Sequence, residues 1–588
     1  MKRLHAGHSN RHPIDKNILT AGVPSRIRRR DHRFLCSFLG VFAGHISSNL
    51  SMMSQDVPGH LSIGQSTTPG IPRPATTSLR PSTGRRRYIA RSGNEQHNRL
   101  VGTDRLVARG PLRLRAMSIT ATPIVDAILG NDAAERWQFR TPIRARHKGA
   151  VRAGMGDLDA RLDGREVVTF IIDSTERRGA LSEGDGEVIA AAAQMAREMR
   201  RPLIGVLSSS GADILGGIGA LHGWGTAAKA VSDCSGLVPI IFVVDGPAVS
   251  GVALLLGLAD VVIMTESSYA FVSGPSMVAD FTGIHLDNES LGGTTTHAKH
   301  TGLPSFVAGS LDEALDRVAE VLAYLPDHVD TEAAFRTTDD ATERDAPELD
   351  EIIPATSTGS YDVRNVAREI ADDGELCELR NRWAPNLVTA FAFIGGRACG
   401  IVANQPVALA GTLDIPAAQK GAWFVALCDG FNLPIVTLVD TPGYFPGKDL
   451  EWRGMIRHGA QMAFAYAEAT VPRICVVLRK AYGGAYIVMD CKTMGNDLCL
   501  AWPTAELAVM GAKGAVQILY RRETEETRLE HETSYAAAYL NPYVAAERGL
   551  VDMVIAPHET RRMVTRGLDL LSSKREMLSP KRHGNSPL

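Results

Sequence analysis

The sequence predicts an α/β fold laid down twice in tandem. Strand-like and helix-like segments alternate from about residue 120 onward, the order that builds βαβ units around a parallel sheet. Landmarks of the first half recur in the second: Gly164-Arg165, Pro202 and Gly211 match Gly396-Arg397, Pro434 and Gly443, each 232 residues further on. The run Val238 to Val244 (VPIIFVV) then matches Val471 to Val477 (VPRICVV) at a displacement of 233. Each copy is long enough for its own core, so the repeat is a domain duplication and not a solenoid. The expected boundaries are 1–116 for an N-terminal extension, 117–352 for the first copy and 353–588 for the second.

Residues 1–116 differ from the rest of the chain. They are rich in Arg, Ser, Pro, Gly and His, carry Arg28-Arg29-Arg30 and Arg85-Arg86-Arg87, and have no sustained apolar period. That composition is expected to be disordered. Phe34 to Ala43 after the arginines has the look of a signal peptide, and a basic interaction tail is a second reading. The favoured expectation is that translation starts at Met117 and the upstream stretch is an over-extended reading frame.

From Met117 a helical lead-in carries Ala133-Ala134-Glu135-Arg136. Val167 to Ile172 reads as a strand, Glu183 to Arg200 as an Ala-rich amphipathic helix, and Pro202 to Leu207 as a strand ended by Ser208-Ser209-Ser210-Gly211. A helix over Ile218 to Asp233 leads into the strand Val238 to Val244, then Gly246 to Val252. Between Pro326 and Pro354 the chain turns acidic and turn-rich, which reads as a linker.

Composition narrows the function classes. The 588 residues are 44% hydrophobic and 22% charged, with a formal net charge of -2. These are values of a soluble globular protein with no charge excess to draw nucleic acid or membrane. The apolar stretch Gly246 to Ala259 is too short to span a bilayer. Eight cysteines with no CxxC pair indicate neither a disulfide framework nor a zinc ribbon, and fit a cytoplasmic setting. No metal site is expected.

The chemistry-bearing feature is a pair of turns. Val471 to Tyr486 (VPRICVVLRKAYGGAY) reads as a buried strand that breaks at Gly483-Gly484 into a helix start. On the repeat register Gly483-Gly484-Ala485 aligns with Ser250-Gly251-Val252. Such a turn is an ordinary strand-to-helix connection, and it also leaves backbone N–H groups bare to hold a developing negative charge. Two copies provide two such sites, suited to moving charge from one carbonyl-like group to another. The sequence has no G-x-S-x-G elbow, HExxH or Walker A lysine. Nothing pairs Ser250 with a histidine, His222, His297 and His300 read as surface or packing residues, and Cys475 and Cys491 read as small buried apolar groups.

The second half closely resembles the carboxyltransferase (β) subunit of biotin-dependent acyl-CoA carboxylases, the propionyl-CoA carboxylase type. The resemblance runs through VANQPVALAGTLDIPAAQKGAWFVALCDGFNLPIVTLVDTPGYFPG from Val402, RKAYGGAY, AWPTAELAVMGAKGAV from Ala501 and NPYVAAERGLVD from Asn541, to the terminal KRHGNSPL. SGPSMV and LGGTTTHAKHTGLPSF in the first half, and YDVRNVAREIADDGE from Tyr361 just past the boundary, fit the same family. It implies a duplicated crotonase fold that moves a carboxyl group from carboxybiotin to the α-carbon of an acyl-CoA. Ser250, Gly251 and Val252 would hold the thioester oxygen as an enolate forms, and Gly483, Gly484 and Ala485 the ureido oxygen of biotin. Ser210, Gly211, Ala212, Gly443, Tyr444, Tyr486 and Ile487 would bind substrate. Biotin would be carried on a separate biotin carboxylase/carrier subunit, since this sequence has no Met-Lys-Met motif, and the assembly would be a homo-hexamer.

Several departures fall where CoA is expected to be gripped. Ser208 to Asp213 reads SSSGAD where the family typically has DSGGAR, and Asp173 to Ala180 replaces a glycine-rich loop. Ile487 stands where many propionyl-specific relatives carry Asp, leaving acetyl, propionyl or a longer acyl group open. Two other readings stay open: a decarboxylase subunit running the same chemistry in reverse, and a degenerate paralogue that only builds the hexamer.

Overall fold

The computed structural model describes residues 141–587, apart from 144–148, 158–163, 355, 357–358 and 575. The N-terminal extension and the helical lead-in from Met117 lie outside the described residues.

Two eight-stranded sheets of one topology form the framework. In the first, β1 (Thr141–Pro142), β2 (Val151–Asp157) and β3 (Glu166–Ile172) run antiparallel. β4 (Leu203–Ser209), β5 (Ile240–Val249), β6 (Val261–Thr265) and β8 (Phe306–Ala308) continue from β3 in parallel, and β7 (Tyr269–Phe271) pairs with the far end of β5. The second sheet repeats this order with β9 (Cys377–Glu378), β10 (Leu387–Ile394), β11 (Arg397–Asn404), β12 (Ile435–Thr441), β13 (Arg473–Tyr482), β14 (Leu498–Ala501) and β16 (Met553–Val554). Here β15 (Glu506–Ala508) pairs with the end of β13. Even the irregularities repeat: the ladder slips between Leu207 and Ser209, and again between Val439 and Thr441.

The helices form where the sequence places caps and apolar stripes. Helix α1 (Glu183–Met199) starts in a capping box between Ser182 and Asp185, and buries Val188, Ile189, Ala192, Ala193 and Ala196 along one face. It packs closely on α2 (Ile218–Ser232), where Gly186 leaves no room for a Cβ against the Gly223 backbone. In the second half, after α5 (Val363–Ile370), α6 (Ile415–Gly430), capped by Asp414, and α7 (Met455–Glu468) stand in the matching places. Two strands outrun their sequence expectation. β4 continues through Ser208 and Ser209 because both are buried and Ser209 Oγ donates to the Gly179 carbonyl. β5 runs on to Val249 because β7 pairs with its extension at Pro247 to Val249.

The halves share packing. Helix α4 (Leu311–Tyr324) buries Leu315, Val318, Val321 and Leu322 in a core that takes Ile204, Val206 and Ile241 from the first sheet and Phe391, Val402 and Val439 from the second. Tyr324 stacks on Phe393 and Phe391, with ring centroids 4.8 and 5.6 Å away. The acidic stretch after α4 runs along the second half: Ala398 N–H donates to Ala334 O, Arg336 N–H to Gly396 O, and Asp340 pairs with the buried Arg561. No helix among the described residues is long and apolar enough to cross a membrane.

Candidate active site

The first turn follows β5. Ser250 lies in the positive-φ region at 61°, and helix α3 (Gly251–Leu256) begins at the next residue. The N–H of Ser250 donates to the Phe271 carbonyl at 2.9 Å, anchoring the turn to β7. The amides that follow belong to the first turn of a helix, where no intrahelical acceptor exists, and no side chain caps it. Trp224 on α2 donates from Nε1 to the Gly251 carbonyl at 2.7 Å. A Cβ on Gly251 would lie 2.6 Å from Trp224 Cδ1, so only glycine fits beneath the indole.

The Ser210-Gly211-Ala212 loop lies alongside. A Cβ at Gly211 would come within 3.5 Å of Ser250 Cβ and 3.4 Å of Val249 O. The loop is fixed by Leu181, whose N–H donates to Gly211 O and whose carbonyl accepts from Asp213 N–H. The departures from the family's usual sequence form a tied structure of their own. Arg177 bridges Asp185 and Asp213, at 2.8 Å each, and Asp173 accepts from the N–H and Oγ1 of Thr175.

The second turn follows β13 in the same way. Gly483, at φ 59°, takes the left-handed conformation that favours glycine, and opens the short helix α8 (Gly483–Ile487), also uncapped. Gly443 and Tyr444 repeat the partner loop: Leu413 N–H donates to Gly443 O, and Phe445 N–H returns to Leu413 O. Tyr444 Cε2 lies 3.7 Å from where a Cβ on Gly484 would stand, and burial pushes its hydroxyl pKa up to about 12. Ala485 is buried. Tyr486 turns inward against the core, its pKa raised by burial, while Ile487 is 41% exposed at the outer side of the turn.

Each half therefore gathers its own turn and its own loop: Ser210 to Ala212 with Ser250 to Val252, and Gly443-Tyr444 with Gly483 to Ala485. The donors are backbone N–H groups, suited to a carbonyl oxygen that gains negative charge. His297, on the helix Thr294–His300, bonds Ala270 O at 2.7 Å and Thr301 Oγ1 at 2.9 Å, and His222 is exposed. No group of three or more His, Cys, Asp or Glu residues is gathered for a metal among the described residues. Trp224 is the contributor that sequence reasoning missed. Its counterpart on the repeat register, Ile456, is exposed and chemically different, so the duplication carries no signal for it.

The carboxyl transferase domain model matches residues 135–586, nearly the whole of the region just described. The chain belongs to the carboxyl transferase domain family. This carboxyltransferase is 42% identical over 447 residues to the propionyl-CoA carboxylase beta chain of Saccharopolyspora erythraea, covering 73% of this chain and 82% of that one. It is 40% identical over 428 residues to the methylmalonyl-CoA decarboxylase subunit alpha of Veillonella parvula, covering 73% and 84%. Among solved structures it superposes on transcarboxylase 12S, a hexamer determined with methylmalonyl-coenzyme A and methylmalonic acid bound. The TM-score is 0.76 at 38% identity, over 80% of this chain and 92% of that one. The carboxyltransferase thus has two tandem crotonase-like halves, and it is a carboxyltransferase subunit of the propionyl-CoA carboxylase type.

Proposed function

We propose that this chain moves a carboxyl group from carboxybiotin, held on a separate carrier subunit, to the α-carbon of acetyl- or propionyl-CoA. The observation that carries the reading is the matched pair of uncapped helix starts at Ser250-Gly251-Val252 and Gly483-Gly484-Ala485. In the first, N–H groups at the start of α3 stabilise the thioester oxygen as the α-carbon loses its proton. In the second, N–H groups at the start of α8 stabilise the ureido oxygen. The donor set fits a ureido carbonyl, because neutral amides accept a build-up of charge without needing a counter-ion. Bound carboxybiotin would supply the carboxyl group and then the base for the α-proton, which is consistent with a site built from backbone donors. Ser210, Gly211 and Ala212 flank the acyl-CoA side; Gly443, Tyr444, Tyr486 and Ile487 flank the biotin side and the acyl pocket.

The relative solved as a hexamer supports a homo-hexamer, in which the first half of one subunit faces the second half of another. The partner would be a biotin carboxylase/carrier subunit. The seven free cysteines among the described residues are all buried, in keeping with a reducing cytoplasm. A decarboxylase role is the second reading, favoured by the similar identity to the Veillonella parvula subunit. The deciding experiment mixes the purified full-length protein with carboxybiotinylated carrier and a panel of acyl-CoAs. Carboxyl transfer to acetyl- or propionyl-CoA is expected; hexamers that transfer to none of them would leave only the structural-paralogue reading.

A further inference from the structure

Beneath the second turn lies a buried charged web that the first half does without. Asp440 sits where the ladder between β12 and β13 slips, with 1% of its surface exposed. One carboxylate oxygen, Oδ1, accepts the backbone N–H of Lys480 at 3.1 Å. The other, Oδ2, accepts from Arg479 Nε at 3.0 Å and from the Tyr361 hydroxyl at 2.9 Å. Arg479 in turn donates to the Gly359 carbonyl at 2.7 Å, and its guanidinium lies 5.3 Å from the Tyr361 ring centre. Asn404 Oδ1 accepts the Asp440 N–H.

A single carboxylate therefore grips two consecutive residues of β13, the side chain of Arg479 and the backbone of Lys480. It does so three residues before Gly483 and replaces a ladder bond that the slip removes. Burying such a pair contributes little net stability compared with apolar packing of the same volume. What it provides is a fixed register for the strand end. The first half makes the comparison: on the repeat register Asp440 and Arg479 correspond to Ser208 and Gly246, uncharged and still adjacent, with Ser208 Oγ 2.7 Å from where a Gly246 Cβ would stand. There the turn is held from other directions, by Trp224 on Gly251 O and by Phe271 O on Ser250 N–H.

We propose that Asp440 is the positioning residue of the second glycine turn, with Arg479 and Tyr361 orienting its carboxylate. The inference rests on the reading of that turn as the biotin side. A misplacement of about 1 Å in a preformed donor set costs on the order of a hundredfold in rate, so loosening this strand end should act on biotin and spare acyl-CoA.

The test measures carboxyl transfer from methylmalonyl-CoA to free biotin by the full-length protein. Asp440→Asn is expected to lower kcat/KM for biotin about a hundredfold and to leave KM for methylmalonyl-CoA within about twofold. Tyr361→Phe, which keeps both charges and carries the test if Asp440→Asn does not fold, should lower it about tenfold. The double variant Asp440→Ser/Arg479→Gly copies the first half and should lose as much as Asp440→Asn while folding without an orphaned charge. Folded variants with wild-type constants, or with equal losses for both substrates, overturn the proposal. Gly484→Pro measured alongside separates the two readings. A loss there with none in the Asp440 and Tyr361 variants overturns positioning and keeps the turn's role; no loss in any of them overturns both.

Discussion

Replacing Gly484 with proline removes one backbone N–H from the second turn. Gly484 is the second residue of α8, in the first helical turn, where an amide has no intrahelical acceptor and proline is tolerated. Its φ is outside the left-handed range, and a Cβ there meets only Tyr444 Cε2 at 3.7 Å, an ordinary contact. A Cβ at this position therefore adds little strain or crowding, which the alanine variant below isolates from the ring of proline. The loss of one preformed donor to a developing oxyanion costs about 3 to 4 kcal/mol, or roughly 10²–10³ in kcat. Gly484→Ala is the control: it adds the same Cβ and keeps the N–H, so its kcat should stay within about threefold of wild type. Both variants are measured by carboxyl transfer at saturating acyl-CoA, with thermal unfolding to verify that α8 is retained. A proline variant as fast as wild type, or an alanine variant as slow as the proline one, would refute the idea that this amide bears charge.

Three further outcomes are expected. Ile487→Asp places a carboxylate at the exposed outer side of the second turn and should move the kcat/KM ratio of propionyl- to acetyl-CoA toward propionyl-CoA by about tenfold; an unchanged ratio removes Ile487 from the acyl pocket. Lys420, fully buried in α6, donates from Nζ to the carbonyls of Arg380, Trp383, Ala384 and Leu387 at 2.7 to 3.4 Å. Lys420→Met strands those acceptors, and urea unfolding should register a loss of about 3 kcal/mol or more. Asp490, buried against Arg473, has its pKa pushed up to about 7 by burial. Its folded value lies above its unfolded one, so this group's contribution declines as pH rises from about 4 to about 7 and is level above that. Wild type should therefore lose stability relative to Asp490→Asn between about pH 5 and 7, and parallel profiles would contradict the shift.

The sheet framework was legible because its strands are apolar runs buried on both faces, such as Ile240 to Val244 and Ile474 to Leu478, and because the duplication repeats them at fixed spacing. The paired turns were legible for the same reason: a glycine at a strand end leaves a mark that survives duplication. Contacts made once left no such mark. Trp224 reaches Gly251 from a helix whose sequence carries no sign of that contact, and Tyr361 reaches Asp440 across 79 residues. Ser208 and Ser209 read as a strand terminator by composition, yet both are strand residues, because the neighbouring Gly179 carbonyl satisfies one hydroxyl that burial would otherwise strand. The partner loops at Gly211 and Gly443 were found through the family resemblance and the register, and their hydrogen bonding to Leu181 and Leu413 is visible only in three dimensions.

Helix α4 makes the two halves of the duplication depend on each other. Its apolar stripe belongs to a core fed by both sheets, and Tyr324 is wedged against Phe391 and Phe393 of the other copy. Each half therefore uses the other as part of its lining. Two pieces made by cutting between the halves would have to stay associated, because separating them would expose this apolar stripe to water.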